Sequence, residues 1–172
     1  MKLTETEKYK QREMKYVSEY VAKFYPRAKV FFKQRIGKAL PELEKELGEL
    51  KAHRMYNVFR RWADAIVIWK REMILIEGKL KADPKVIGQL LLYRSIVKDT
   101  PELVKYKDYP LHSVLLTPYF DRDTERLCAE YGIEIVRYIP DWLEEYLEHL
   151  QHYWSGEYRK KKGLKELKGG LK

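Results

Sequence analysis

Residues 60–80 read RRWADAIVIWKREMILIEGKL, two apolar runs separated by the polar interval at 70–72. The runs are rich in β-branched and aromatic side chains, which are typical of strands, and the interval is typical of a hairpin turn. Asp64 lies on the first strand, and Glu77 and Lys79 lie on the second. This segment therefore predicts a buried antiparallel hairpin that carries three charged side chains.

Outside the hairpin, helical and strand-like patterns alternate along the chain. Helices are predicted at 5–24, 41–50, 85–99, 121–131 and 141–154, and strands at 28–36, 55–69, 73–80, 113–117 and 133–138. This order predicts an α/β fold in which helices flank a central mixed sheet. We expect a single domain over 1–154, with its core at 28–140, and a basic, mobile tail over 155–172.

The composition narrows the class of protein. A formal net charge of +9 predicts attraction to polyanions, either nucleic acid or an anionic membrane surface. The apolar runs are much shorter than the roughly 20 residues that cross a bilayer, so no membrane partner is expected. The charged N-terminal segment lacks the apolar stretch of a secretory signal, which predicts a cytoplasmic protein. No phosphate-binding loop is present, and no nucleotide cofactor is expected.

The charged residues of the hairpin match the requirements of a divalent metal site. Strand side chains alternate between faces, so Glu77 and Lys79 point the same way, and the turn brings Asp64 beside Glu77. Carboxylates in so apolar a hairpin need a counter-charge. Mg²⁺ or Mn²⁺ bound by Asp64, Glu77 and the Gly78 carbonyl would supply it. Lys79 would then orient or deprotonate a water molecule, or stabilise developing charge.

An ordinary interpretation also accounts for these charges. Asp64 and Glu77 could pair with Lys79, Arg60 or Arg61 as cross-strand ion pairs. The following helix favours the functional interpretation, because Gln89 and Tyr93 are four residues apart and share one helical face.

The runs ADAIVIW, ILIEGKL and GQLLLYRSIV, within residues 55–97, resemble the PD-(D/E)XK nuclease superfamily, with the Q-x-x-x-Y helix of its RecB-like branch. The resemblance implies a restriction-endonuclease-like core. It also implies that Asp64 and Glu77 are metal ligands and that Lys79 is the catalytic lysine. Gln89 and Tyr93 would support the site or contact DNA.

The chain departs from the family pattern in three places. Ala63 stands where the family name has proline. Many relatives carry an upstream acid on the first helix, and Glu19 or Glu13 could serve. The single cysteine, Cys128, rules out the four-cysteine iron–sulfur cluster of some relatives.

The expected function is therefore metal-dependent hydrolysis of DNA phosphodiester bonds. Four basic residues near the site are candidates for binding DNA phosphates: Arg60, Arg61, Lys81 and Arg94. A homodimer would let two copies engage both strands. The alternatives are a nucleic-acid-binding module that keeps the fold without cleaving, and a purely structural subunit.

Overall fold

The computed structural model describes residues 5–39 and 41–154. A first compact unit ends at Tyr138 and a second begins at Ile139, so the expected single domain over 1–154 stays a prediction. The predicted basic tail lies outside the described residues. The helices are α1 (Glu5–Phe24), α2 (Pro41–Leu47), α3 (Glu49–Tyr56), α4 (Lys85–Ile96), α5 (Arg122–Glu130) and α6 (Asp141–Trp154). The strands are β1 (Lys29–Ile36), β2 (Arg61–Trp69), β3 (Glu72–Gly78), β4 (Leu111–Thr117) and β5 (Ile133–Arg137).

The five strands form one mixed sheet in the order β1-β2-β3-β4-β5. The first three strands are an antiparallel meander, and β4 and β5 continue the sheet in parallel. Each parallel connection includes a helix, α4 before β4 and α5 before β5. The prediction of an α/β fold with a central mixed sheet flanked by helices is therefore confirmed. The order of helix, meander, helix and strand is also the order expected for a restriction-endonuclease-like core.

The β2–β3 hairpin turns where the sequence predicts it. Lys70 and Arg71 both adopt positive φ angles, 47° and 64°, which two-residue turns between twisted strands require. The resulting register pairs Ala65 with Ile76. One position further along, Asp64 comes opposite Glu77, which places the two acids at the end of the ladder away from the turn.

Two predicted segments differ most from the structure. The segment 55–60 was expected to begin a strand, but Met55 and Tyr56 end α3, and β2 begins only at Arg61. The helix predicted at 41–50 is two helices, α2 and α3, separated by Gly48 with a φ of 76°. Short segments with mixed apolar and charged residues fit both helix and strand patterns, so tertiary packing decides between them.

Helices α1 and α4 contact β3 from its two faces. Ile66, Leu75 and Leu115 of the sheet share a buried apolar cluster with Ile87 and Leu90 of α4. This burial fixes α4 against the face that carries Glu77.

The contact on the α1 side is unusually close. A Cβ atom placed on Gly78 would lie 2.2 Å from the Val17 Cγ2 atom, which is shorter than any tolerable contact. Only glycine lets α1 approach β3 at this point.

None of the described helices is both long and apolar enough to cross a bilayer.

We expect Gly78→Ala to lower the free energy of unfolding by roughly 1–3 kcal/mol, because the added methyl group must push α1 away from β3. Urea denaturation measures this loss. Gly88→Ala is the matched control: a Cβ at Gly88 meets nothing within 4 Å, and alanine should stabilise α4 by about 0.5–1 kcal/mol. Equal effects of the two substitutions would contradict the close contact.

Candidate active site

Asp64 is nearly buried and is held across the two strands of the hairpin. Its side chain is 8% exposed. The Gly78 amide donates a hydrogen bond of 3.1 Å to Oδ2, and the Lys33 ammonium lies 2.5 Å from Oδ1. The amide therefore fixes the orientation of the carboxylate at the end of the ladder.

Glu77 is buried with one satisfied and one unsatisfied oxygen. Oε1 accepts a hydrogen bond of 2.6 Å from the Gln89 side-chain amide and lies 3.0 Å from the Lys79 ammonium. Oε2 is inaccessible to solvent and receives no hydrogen bond from the described part of the chain. A buried carboxylate oxygen without a donor is costly, and buried groups of this kind call for an explanation.

The electrostatics of the pair follow from this burial. Burial first, and then the negative charge of Asp64, raise the pKa of Glu77 to about 7. The Lys79 ammonium and the Gln89 amide offset part of this increase. Lys79 and Lys33 each contact one of these two neighbouring carboxylates, and a divalent cation shared by the carboxylates would supply further positive charge.

The sequence placed Lys79 on the second strand, but β3 ends at Gly78 and Lys79 follows directly after it, with a side chain that is 27% exposed. Burial lowers the pKa of Lys79, but the carboxylates of Glu77, Glu13 and Asp64 outweigh that effect and the net pKa is raised. The amine is therefore held in its charged form, which favours stabilisation of negative charge over removal of a proton.

Gln89 and Tyr93 meet Glu77 from α4. The Gln89 side-chain nitrogen donates both to Glu77 Oε1 and, at 2.8 Å, to the Tyr93 hydroxyl. Tyr93 is 6% exposed, and burial followed by the charge of Glu77 raises its pKa. The spacing of four residues thus produces the shared helical face that the sequence indicates, and that face orients Glu77.

On α1, Glu13 interacts electrostatically with Lys79 and Asp64 of the site, and the role of Glu19 as the upstream acid stays a prediction. Glu19 accepts a hydrogen bond of 3.0 Å from the Tyr138 hydroxyl. Burial raises the pKa of Glu13, while its interaction with the Lys79 ammonium lowers it and its interaction with Asp64 raises it further. A signal was present in the sequence, because Glu13 is four residues before Val17 and so continues the buried stripe of α1.

Lys33 is a site residue that sequence reasoning missed. It lies on β1 with a φ of 45°, and its ammonium contacts Asp64. Nothing in the local sequence KVFFKQRI distinguishes it from an ordinary exposed strand lysine.

The predicted phosphate-binding residues separate into two kinds. Arg60 is buried and its guanidinium forms two hydrogen bonds with Glu102, at 2.9 and 2.7 Å, so it is not placed to bind a DNA phosphate. Arg94 donates to the Tyr131 carbonyl at 2.9 Å. Arg61 and Lys81 are exposed. Of the four candidates, Arg61 and Lys81 are the exposed ones, Arg94 is half-buried and Arg60 is buried.

The residues present fit a hard divalent cation. Asp64 and Glu77 offer adjacent carboxylates, and the unsatisfied Glu77 Oε2 is the observation that tests the fit. Among the described side chains, no group of three or more His, Cys, Asp and Glu is placed to hold a metal. Magnesium commonly uses one or two carboxylates and completes its shell with water and phosphate oxygens. The Gly78 carbonyl stays a predicted ligand.

The sequence matches no protein-family model and no curated protein. Among solved structures, a repair endonuclease from Pyrococcus abyssi aligns with a TM-score of 0.48 and 16% sequence identity. The alignment covers 73% of this chain and 46% of that chain, so this chain spans less than half of the matched protein.

Proposed function

We propose that this protein is a metal-dependent deoxyribonuclease. Its active site, formed by Asp64, Glu77 and Lys79, would hydrolyse the phosphodiester bonds of DNA. The observation that carries the proposal is the buried pair of adjacent carboxylates, whose hydrogen-bonding capacity the neighbouring side chains satisfy only in part. Glu77 Oε2 has no donor in the described chain, and the pKa of Glu77 is raised by its surroundings. A net charge of +9 supports a polyanionic substrate.

A purely structural ion-pair network is the weaker explanation. Lys79 does pair with Glu77, and Lys33 pairs with Asp64. A network that serves only stability would be expected to satisfy every buried oxygen, since a half-satisfied network is worse than an apolar core. Arg60, one of the partners that this explanation names, is instead paired with Glu102.

In the proposed reaction each protein group has a distinct task. A bound Mg²⁺ or Mn²⁺ would lower the pKa of a water molecule and neutralise charge on the phosphate. Asp64 and Glu77 would hold the cation, and Gln89 keeps the Glu77 carboxylate in place through its 2.6 Å hydrogen bond. The Lys79 ammonium stabilises the negative charge that builds on the phosphate oxygens. The water oxygen would bond to phosphorus as the bond from phosphorus to the leaving oxygen breaks, with the water proton released to solvent and a solvent proton taken up by the leaving oxygen.

Asp64→Ala, Glu77→Ala and Lys79→Ala should each abolish cleavage, because each removes a cation ligand or the charge that stabilises the reacting phosphate. The assay is release of fragments from linear duplex, single-stranded and branched DNA with Mg²⁺, Mn²⁺ or EDTA, with far-UV circular dichroism as the test of folding. Glu72→Gln, on the same strand but half exposed, should cleave normally and serves as the control. A Glu77→Ala protein that keeps full activity would refute the proposal. DNA binding without chelator-sensitive cleavage in the wild type would instead support the non-cleaving module.

The raised pKa of Glu77 predicts a pH-dependent cost to stability. A carboxyl that ionises less readily in the folded state destabilises the fold as pH rises from 4.5, its ordinary pKa, to about 7. In metal-free protein, Glu77→Gln should therefore raise the free energy of unfolding at pH 8 by up to about 3 kcal/mol and have little effect at pH 4. Urea denaturation in EDTA measures both values. The same gain at both pH values would show that the effect is not electrostatic.

The two accessible basic residues should contribute to binding without affecting folding. Arg61→Ala and Lys81→Ala should each weaken DNA binding and lower the slope of log affinity against log salt by about one. Fluorescence anisotropy at several salt concentrations measures this slope. Arg60→Ala should lower the free energy of unfolding instead, because it breaks the buried pair with Glu102. An unchanged slope in both Arg61 and Lys81 variants would exclude them from the DNA interface.

A further inference from the structure

Lys33 has a backbone conformation that lysine rarely adopts. It lies within β1 between two regular ladder pairs, Phe32 with Ala65 and Gln34 with Ala63, and is opposite Asp64. Its φ of 45° is in the left-handed region, which is unfavourable for a residue with a Cβ atom. Strained residues of this kind persist where the surrounding structure holds them, and they concentrate at functional sites.

Lys33 contacts Asp64, and the two side chains differ in their exposure to solvent. The Lys33 ammonium lies 2.5 Å from Asp64 Oδ1. The Lys33 side chain is 45% exposed, whereas that of Asp64 is 8% exposed. The lysine can swing into solvent on its flexible stem, but the carboxylate is fixed by its hydrogen bond from Gly78. Lys33 is therefore the partner that can leave.

A cation and the Lys33 ammonium would compete for the same carboxylate. Asp64 Oδ2 accepts a hydrogen bond from the Gly78 amide and Lys33 contacts Oδ1, so a cation bound here would lie close to the ammonium and repel it. The other lysine, Lys79, is engaged with Glu77. Without a metal, Lys33 is the positive group that neutralises Asp64. A bound divalent cation takes over that role and leaves the ammonium close to the site without its partner.

We propose that Lys33 takes the place of the cation at Asp64 in the metal-free protein, and that it moves to a phosphate oxygen of bound DNA when the cation binds. This proposal rests on the proposed function, since it requires a cation at Asp64. Lys33 is accordingly a positioning residue in the metal-free state and a substrate-binding residue in the loaded state. The strained backbone keeps its ammonium directed at the site.

The first test is metal affinity without DNA, measured by isothermal titration calorimetry with Mn²⁺. Lys33→Gln removes the competitor for the Asp64 carboxylate, so Mn²⁺ should bind roughly five-fold more tightly than to the wild type. Lys29→Gln is the matched control, because it removes the same charge from the same strand while its ammonium lies over the Phe31 ring. Its Mn²⁺ affinity should equal that of the wild type.

The second test is DNA affinity, measured by fluorescence anisotropy with Ca²⁺ in place of Mg²⁺. Here the effect has the opposite sign: Lys33→Gln should bind DNA more weakly than the wild type, with a salt slope smaller by about one. A change that tightens metal binding and weakens DNA binding is not expected from simple loss of folding.

Two further variants separate the charge from the backbone strain. Lys33→Ala and Lys33→Gly both remove the ammonium, so both should show the tighter Mn²⁺ binding. Glycine adopts positive φ without strain, so Lys33→Gly should have the higher midpoint of thermal unfolding of the two. If Lys33→Ala folds poorly, the glycine variant provides the affinity measurement.

The outcomes distinguish the two proposals. Wild-type protein that binds no Mn²⁺ would overturn both the nuclease assignment and this role of Lys33. Wild-type protein that binds Mn²⁺, with equal or weaker affinity in Lys33→Gln, would overturn the role of Lys33 alone. Tighter metal binding with unchanged DNA affinity would overturn the movement to phosphate.

Discussion

Two carboxylates lie side by side in the interior because Asp64 and Glu77 occupy opposite positions where the β2–β3 ladder ends. The Gly78 amide, which lies next to Glu77 in the chain, donates to Asp64 and fixes the spacing. The same glycine lets α1 approach the sheet through Val17, and the preceding residue meets Gln89 of α4. The position of both flanking helices and the geometry of the charged site thus depend on three consecutive residues, 77–79.

The site is assembled from features that weaken the fold. Burial raises the pKa of Glu77, one of its oxygens lacks a donor in the described chain, and Lys33 holds a left-handed backbone. The apolar cluster between the sheet and α4 is what makes these costs tolerable. A cation that binds only the folded state would stabilise it further by mass action. Backbone strain at Lys33 and a buried Glu77 oxygen without a hydrogen-bond donor in the described chain are expected of a site that is completed by a ligand.

The basic residues illustrate that charge in a sequence does not identify its own role. Arg60 and Arg61 are neighbours, yet Arg60 is buried in a bidentate pair with Glu102 while Arg61 is exposed. Arg60 immediately precedes β2 and Arg61 is its first residue, and the 3₁₀ helix Pro101–Tyr106 brings Glu102 to Arg60. Lys33 and Lys79 are likewise far apart in the sequence, yet Lys33 pairs with Asp64 and Lys79 pairs with Glu77.

The sequence by itself determined the hairpin, its turn at Lys70 and Arg71, the alignment of Asp64 with Glu77, and the pairing of Gln89 with Tyr93. These depend on periodicities of two and about four residues, which local geometry imposes on any chain. Tertiary structure alone decided that 55–60 is not strand and that Lys33 contacts Asp64. These outcomes depend on which surfaces, distant in sequence, pack together. Lys33 in addition has a positive φ angle, which a lysine rarely adopts unless the surrounding structure imposes it.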